Sequence, residues 1–204
     1  MSDGSGPEES GGGAVGLPSR RRRPTPMGQW DPTARLSYWA FHADRRPAYM
    51  RFAFLQLGTD TAAEEAVDAA FDSIMGEWLR MLHMDRLDAY AWTVLKQRIV
   101  DRQYRRSPWP EPMDISAFEA ALKEAHSEAD QADQYDVLTD TIRFYSAVSR
   151  LAERQRDAVL LRYGLQCTPA EAAAMMGVDE ATVRSQLGQA QRRLARLLDT
   201  AAES

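Results

Sequence analysis

Between Asp179 and Leu198 of this 204-residue chain, apolar residues recur at Val183, Leu187, Ala190, Leu194 and Leu197. That spacing of four, three, four and three draws one stripe down a helix. The opposite face carries Thr182, Arg184, Ser185, Gln189, Arg192, Arg193 and Arg196, with Gln186 beside it. The chemistry of such a set is recognition rather than bond breaking: amides pair with adenine edges, arginines with guanine edges or phosphates, and hydroxyls with either. Bond-breaking chemistry finds no comparable set. His42, His83 and His126 are scattered without metal-ligand spacing, the single cysteine Cys167 has no evident partner base, and no glycine-rich phosphate loop is present. The chain reads as a non-enzyme, and no cofactor or metal is implied.

The elements that position this face are marked just ahead of it. Leu151, Ala158, Leu161 and Leu165 share one side of a supporting helix, and Gly164 stands at its end. Thr168, Pro169 and Glu171 then supply an N-cap, a proline at the first helical position and a carboxylate three residues after the cap, the pattern of a capping box. A short helix follows over Pro169–Met176. Gly177 can adopt the left-handed conformation that reverses the chain, and Asp179 caps the polar-faced helix. A capped short helix, a glycine turn and a polar-faced second helix together spell a helix-turn-helix unit that lays its second helix in a major groove.

The rest of the chain divides by composition. Residues 1–30, rich in Gly, Ser, Pro and Glu and carrying the run Arg20 to Arg23, read as a disordered tail. Residues 31–107 read as a small helical domain. Within it Val67, Ala70, Phe71, Ile74 and Trp78 form a stripe after the break at Gly58, Thr59 and Asp60, and a further helix runs from about Asp88 to Arg106. Pro108, Pro110 and Pro112 end it. Between Glu111 and Asp140 nine carboxylates face one base, Lys123, so 108–140 reads as an acidic linker. Residues 141–200 form the second helical domain. The expected fold is therefore all-α: two small helical domains joined by an acidic linker, with a C-terminal helix-turn-helix.

The formal net charge of −5 excludes a chain that coats nucleic acid indiscriminately, so contact with DNA must come from local patches. One such patch lies in the helix ending at Arg106, where from Lys96 onward Lys96, Arg98, Arg102, Arg105 and Arg106 stand against the single acid Asp101. Tyr90 and Trp92 lie near its start, and aromatic stacking on an unpaired base is worth about 1–3 kcal/mol, with burial of Trp92 in the core as the competing reading. No apolar run approaches the roughly 20 residues of a membrane helix, and no hydrophobic signal core leads the chain. With one cysteine in all, the expected setting is a reducing cytoplasm.

The residues Leu151-Ala-Glu-Arg-Gln-Arg-Asp-Ala-Val-Leu-Leu-Arg-Tyr163, Glu171-Ala-Ala-Ala-Met-Met-Gly177, Thr182-Val-Arg-Ser185 and Arg193-Leu194 resemble the C-terminal domain of bacterial sigma factors of the extracytoplasmic-function type. Gly58 followed by Ala63-Glu-Glu-Ala-Val-Asp-Ala-Ala-Phe71, then Tyr90-Ala-Trp-Thr-Val-Leu-Lys-Gln-Arg-Ile-Val-Asp101 with Arg105 and Arg106, resemble that family's N-terminal conserved domain. The resemblance implies a transcription initiation factor that binds core RNA polymerase and promoter DNA. Its first domain would melt the minus-10 element with Tyr90, Trp92, Lys96, Arg98, Arg102, Arg105 and Arg106. Its second would read the minus-35 element with Thr182, Arg184, Ser185, Gln186, Gln189, Arg192 and Arg193. The polymerase would meet the acidic face of Glu64, Glu65, Asp68 and Asp72, and the linker would thread the channel later used by RNA. An anti-sigma protein is a further partner the family leads one to expect.

The sequence departs from the family pattern at Asp68, Ala172, Gln186, Gln189 and Gln191. Fewer cations on the reading helix lower phosphate affinity uniformly, while glutamine still pairs with adenine. Two alternatives stay open on residues alone: a helix-turn-helix operator-binding regulator, and a sigma-like adaptor that binds polymerase without reading a promoter.

Overall fold

The computed structural model describes residues 25–106 and 143–202, and every regular element among them is helical. Most of the expected tail, including its arginine run, and the whole acidic linker lie outside the described residues. In the first unit α1 spans Pro32–Leu57, α2 Asp60–Met81 and α3 Leu87–Arg106. The start of α1 is set by Asp31, whose carboxylate accepts from the Ala34 N–H at 2.9 Å, with proline next in the chain. Gly58, at φ 73°, takes the left-handed turn that closes α1, and Thr59 caps α2 at once. Pro47 stands inside α1 without ending it. The buried run Tyr49, Phe52, Ala53 and Leu57 that follows supplies more apolar burial than one lost backbone bond removes.

The three helices close over one core, with Val67, Ile74 and Trp78 of α2 wholly enclosed between α1 and the Leu95 and Ile99 side of α3. The Trp78 indole N–H donates to the Ala34 carbonyl and the Ser37 hydroxyl, both at 3.2 Å. Tyr38 packs edge-on against Trp78 at 5.5 Å, and burial, with Asp72 adding, pushes its phenol up to about 12. Composition carries the disordered tail to residue 30, but the ordered structure starts sooner. Met27–Gln29 form a 3-10 turn, and Trp30 is only 5% exposed, its N–H donating to the Thr25 carbonyl and its ring set against Tyr38. One tryptophan buries enough area to hold the short segment around it.

In the second unit residues 143–149 are helical (α4), α5 covers Glu153–Val159, α6 Pro169–Met176 and α7 Glu180–Ala202. The expected supporting helix differs from a plain α-helix: α5 runs into a π-helical turn over Leu160–Gly164, and the left-handed residue beyond it is Gln166, at φ 62°, rather than Gly164. Gly164 instead lies against α1, where a Cβ would come within 2.5 Å of the tip of the Leu55 side chain, which would have to turn aside. The capping box of α6 forms as the spacing requires. Thr168 Oγ1 accepts from the Glu171 N–H, and the Glu171 carboxylate accepts from the Thr168 N–H at 2.7 Å. Those bonds hold the Glu171 carboxyl below the usual glutamate range.

A folded-state carboxyl held low contributes stability above its ordinary pKa, and that contribution fades as the pH falls through the lowered value. Thr168→Ala is expected to cost about 1 kcal/mol at neutral pH, with the deficit shrinking in acid. Trp78→Ala is expected to cost about 3–5 kcal/mol with little dependence on pH. Urea unfolding of both variants at neutral and acid pH checks the pair, and an equal loss at both pH values for Thr168→Ala would contradict the capping account.

Candidate nucleic-acid interface

Gly177, at φ 63°, turns the chain between α6 and α7, and α7 buries Val183, Leu187, Ala190 and Leu194 against α5 and α6. That burial leaves Arg184, Ser185, Gln189, Arg192 and Arg193 exposed along the far side of α7. Arg184 pairs with Glu180 one turn earlier, which preorganises its guanidinium rather than burying it. Thr182 and Gln186 lie toward a different side. They line a cleft of about 370 Å³ shared with Arg86, Trp92 and Lys96 of the first unit. The reading face expected from the sequence is thus split, one part open and one part facing α3.

The open part borders a groove of about 760 Å³ whose polar lining is Arg150, Gln155, Gln189, Arg192, Arg193 and Arg196, with no carboxylate among the described residues. The side chains form a directed chain: the Gln155 amide donates to the Gln189 carbonyl oxygen at 3.2 Å, and the Gln189 amide donates to Ser185 Oγ at 3.3 Å. Gln189 is thereby held at both ends of its amide, with one hydrogen and one lone pair left over for a further partner. Gln191 has a different task, donating to the Tyr163 hydroxyl at 3.0 Å and tying α7 to the π-helical turn. Sequence spacing does not find Arg150 and Gln155, because Gln155 lies 34 positions from its partner and belongs to the supporting helix.

The basic residues of α3 form two faces rather than one patch. Lys96 points toward the second unit, bonded to Asp157 at 2.9 Å and to Glu153. Arg98, Arg102 and Arg105, spaced four and three apart, line a groove against α2 with Glu65, Asp72 and Ser73. Arg102 meets Glu65 at 3.0 Å, while Arg98 donates to Ser73 Oγ and to Asp101. The Gln97 amide, helped by Arg98, holds the Asp101 carboxyl below its ordinary range. Of the acidic face, Glu64 and Asp68 turn toward Arg46 of α1, with Asp68 accepting at 2.8 Å, whereas Glu65 and Asp72 join the arginine groove. Arg106 ends α3, and its side chain is outside the described residues.

The two aromatics differ in availability. Trp92 is 3% exposed, packed on Phe52 at 4.5 Å and Tyr49 at 6.0 Å, so no base can stack on its ring in this arrangement. The expectation that Trp92 captures a base is corrected accordingly: the indole serves the core, and its N–H has no hydrogen-bond partner among the described residues. Tyr90 is half-buried beneath the Arg80 guanidinium, which lies 5.1 Å from the ring centre and donates to the phenol oxygen at 2.9 Å.

These features define a class: a two-part helical protein whose second part is a helix-turn-helix of the DNA-reading kind. Residues 141–194 match the family described as Sigma-70, region 4. The chain is 29% identical over 131 residues to the ECF RNA polymerase sigma factor RpoE of Cereibacter sphaeroides, an overlap of 62% of this chain and 68% of that protein. A solved structure, the sigma factor RpoE in complex with the anti-sigma factor NepR from Bartonella quintana, is similar at 20% identity with a TM-score of 0.44, covering 80% of this chain and 97% of that one. That last likeness is too loose to place residues. The comparisons thus tie residues 141–194 to sigma-70 region 4 and make the chain similar to a sigma factor of the extracytoplasmic-function type.

The surface ion pairs that hold the acidic face are half-exposed, and exposed pairs contribute about 0–1 kcal/mol each. Arg46→Ala and Arg102→Ala are each expected to lower stability by no more than about 1 kcal/mol, leaving Glu65 and Asp68 free to meet another cationic surface. Thermal unfolding of the two variants checks this, and a loss of several kcal/mol would mark the pairs as structural.

Proposed function

We propose that this protein is a transcription initiation factor that directs core RNA polymerase to specific promoters and performs no covalent chemistry itself. Residues 141–200 read the minus-35 element through Arg184, Ser185, Gln189, Arg192 and Arg193 on the open side of α7, with Thr182 and Gln186 completing the face. Residues 31–107 hold the polymerase through Glu64, Glu65, Asp68 and Asp72 and engage the minus-10 element through Tyr90, Lys96, Arg98, Arg102, Arg105 and Arg106, and 108–140 join the two. The protein acts in the cytoplasm beside the polymerase; no helix among the described residues is long and apolar enough to cross a membrane. Similarity to that family adds an anti-sigma protein to the partners to be sought.

The observation that carries this reading is the open polar side of α7, set against a fully buried apolar stripe and turned by a left-handed glycine. A simple operator-binding regulator leaves the α2–α3 groove, with its interleaved acids and arginines, without a task.

Run-off transcription with purified core polymerase on fragmented genomic DNA is expected to give start sites that require this protein. Absence of such sites, despite co-purification with the core, overturns promoter reading in favour of the adaptor. Arg184→Ala is expected to reduce discrimination between promoters. Gln155→Ala is expected to blur preference at the base pair met by Gln189 by a factor of about 5–100 while leaving the salt dependence unchanged, since it removes order rather than charge. Arg150→Ala is expected to do the reverse, weakening all sequences alike and reducing the salt slope by about one. Binding to a library of minus-35 variants at several salt concentrations separates the outcomes.

A further inference from the structure

The side of α1 turned away from the core is apolar, where the outer face of a helix is ordinarily polar. Leu36 is 72% exposed and Trp39 53%, and exposed Ala40, Ala43 and Pro47 continue the same stripe at helical spacing. Ala34, Tyr38, Tyr49 and Phe52 fill the opposite, buried side. Single exposed apolar residues need no explanation, but a row of them along one helix marks an interaction surface. The Trp39 ring is already placed. It stands edge-on to Tyr38 at 5.3 Å and to His42 at 5.5 Å, which sets it toward the flank of α1 that also carries Arg35 and Arg46.

The stripe is uneven in a way that selects its partner. Large side chains occupy its first half and small ones its second, so an antiparallel copy of the same helix lays large against small. A two-fold axis passing between Trp39 and Ala40 sets Leu36 of each chain over Ala43 of the other. It also brings the two Trp39 rings together along one edge of the contact and the two Ala40 methyls along the other, where small side chains let helix axes approach to about 8 Å. Charge obeys the same symmetry. Arg35, in no ion pair among the described residues, stands at the first end of the Trp39 flank. At the other end of that flank Arg46 gathers two carboxylates, Glu64 at 3.9 Å and Asp68 at 2.8 Å, both more than half exposed. Two acids against one base leave that end negative. The axis carries Arg35 of each chain to the acidic end of the other, as a self-complementary surface requires.

We infer that this protein pairs with a second copy of itself, antiparallel, through the α1 face formed by Leu36, Trp39, Ala40 and Ala43. From Pro32 to Pro47 the helix rises about 22 Å, which is the length of the contact. One helix pair of that length lies at the small end of specific interfaces, below about 1,200 Å² in total, so the pair forms and parts with concentration. The inference stands apart from the proposed promoter reading, because pairing is scored on the free protein.

Sedimentation velocity of the full chain, from micromolar to near-millimolar concentration, is expected to show a reversible monomer–dimer equilibrium. Leu36→Asp, a change on an exposed helix surface, is expected to weaken it about tenfold or more with an unchanged helical circular-dichroism spectrum. Arg35→Glu and Asp68→Arg are each expected to pair weakly alone and to pair with one another when mixed, since the mixed dimer restores an opposite charge at both contacts. The register is read by cysteine coupling in a Cys167→Ser background, which removes the native thiol. There Ala40→Cys is expected to form a disulfide-linked dimer about tenfold faster than Asp44→Cys, because the axis brings the two residues at position 40 together and holds those at the equally open position 44 too far apart for a disulfide. A wild-type chain that stays monomeric at every concentration overturns the inference. So do equal coupling at the two positions and a mixture of the two charge variants that pairs no better than either alone.

Discussion

Asp157 is a carboxylate with almost no access to water, and the meeting of the two units is arranged around it. Burial there disfavours the charged carboxylate, and a cation from across the interface offsets part of that cost. Lys96 supplies it from 61 positions earlier in the sequence, its ammonium shared between Asp157 and Glu153. From that requirement follow the orientation of α3, the side of α3 that faces the helix-turn-helix, and the close seating of two glycine backbones on the first unit. The reading helix is then presented with one edge outward and one edge covered.

What could be read from the sequence was what is local. Asp31 with Pro32, Gly58 with Thr59, and Thr168 with Pro169 and Glu171 are each decided within a few residues of chain, and each forms as its spacing dictates. The apolar stripes of α2 and α7 are equally local, since a helix period converts directly into a buried side. The failures all concern what lies across a gap. Lys96 and Arg98 are neighbours in a list of basic residues, yet two positions along a helix is more than half a turn, and they meet different partners on different sides. Tyr90 and Trp92 look interchangeable until α1 brings Phe52 and Tyr49 to enclose one of them. Trp30 falls in a segment of tail-like composition, and only the ring of Tyr38 makes it part of the core. The Gln155 to Gln189 bond has no trace in the linear pattern at all.

The chain is net acidic, yet its reading unit exposes an arginine groove, and the electrostatics work because opposite charges are segregated by face. In the first unit acids and arginines interleave between α2 and α3, giving short-range pairs that cancel at a distance. On α7 the cations Arg192 and Arg193 stand with amides and hydroxyls instead, so their field reaches outward. Gln186 and Gln189 add no charge to that helix, so under the proposed function they offer discrimination rather than attraction.

Gly177 answers to two masters. Its left-handed backbone makes the turn that aims α7, and the empty space where a side chain would be is filled by the Ala89 backbone of the other unit. Enlarging that residue would therefore disturb both its packing against α3 and the turn that aims α7. One missing atom thus serves the local turn and the seating of one unit on the other, so the backbone of Ala89 and the conformation of Gly177 constrain each other.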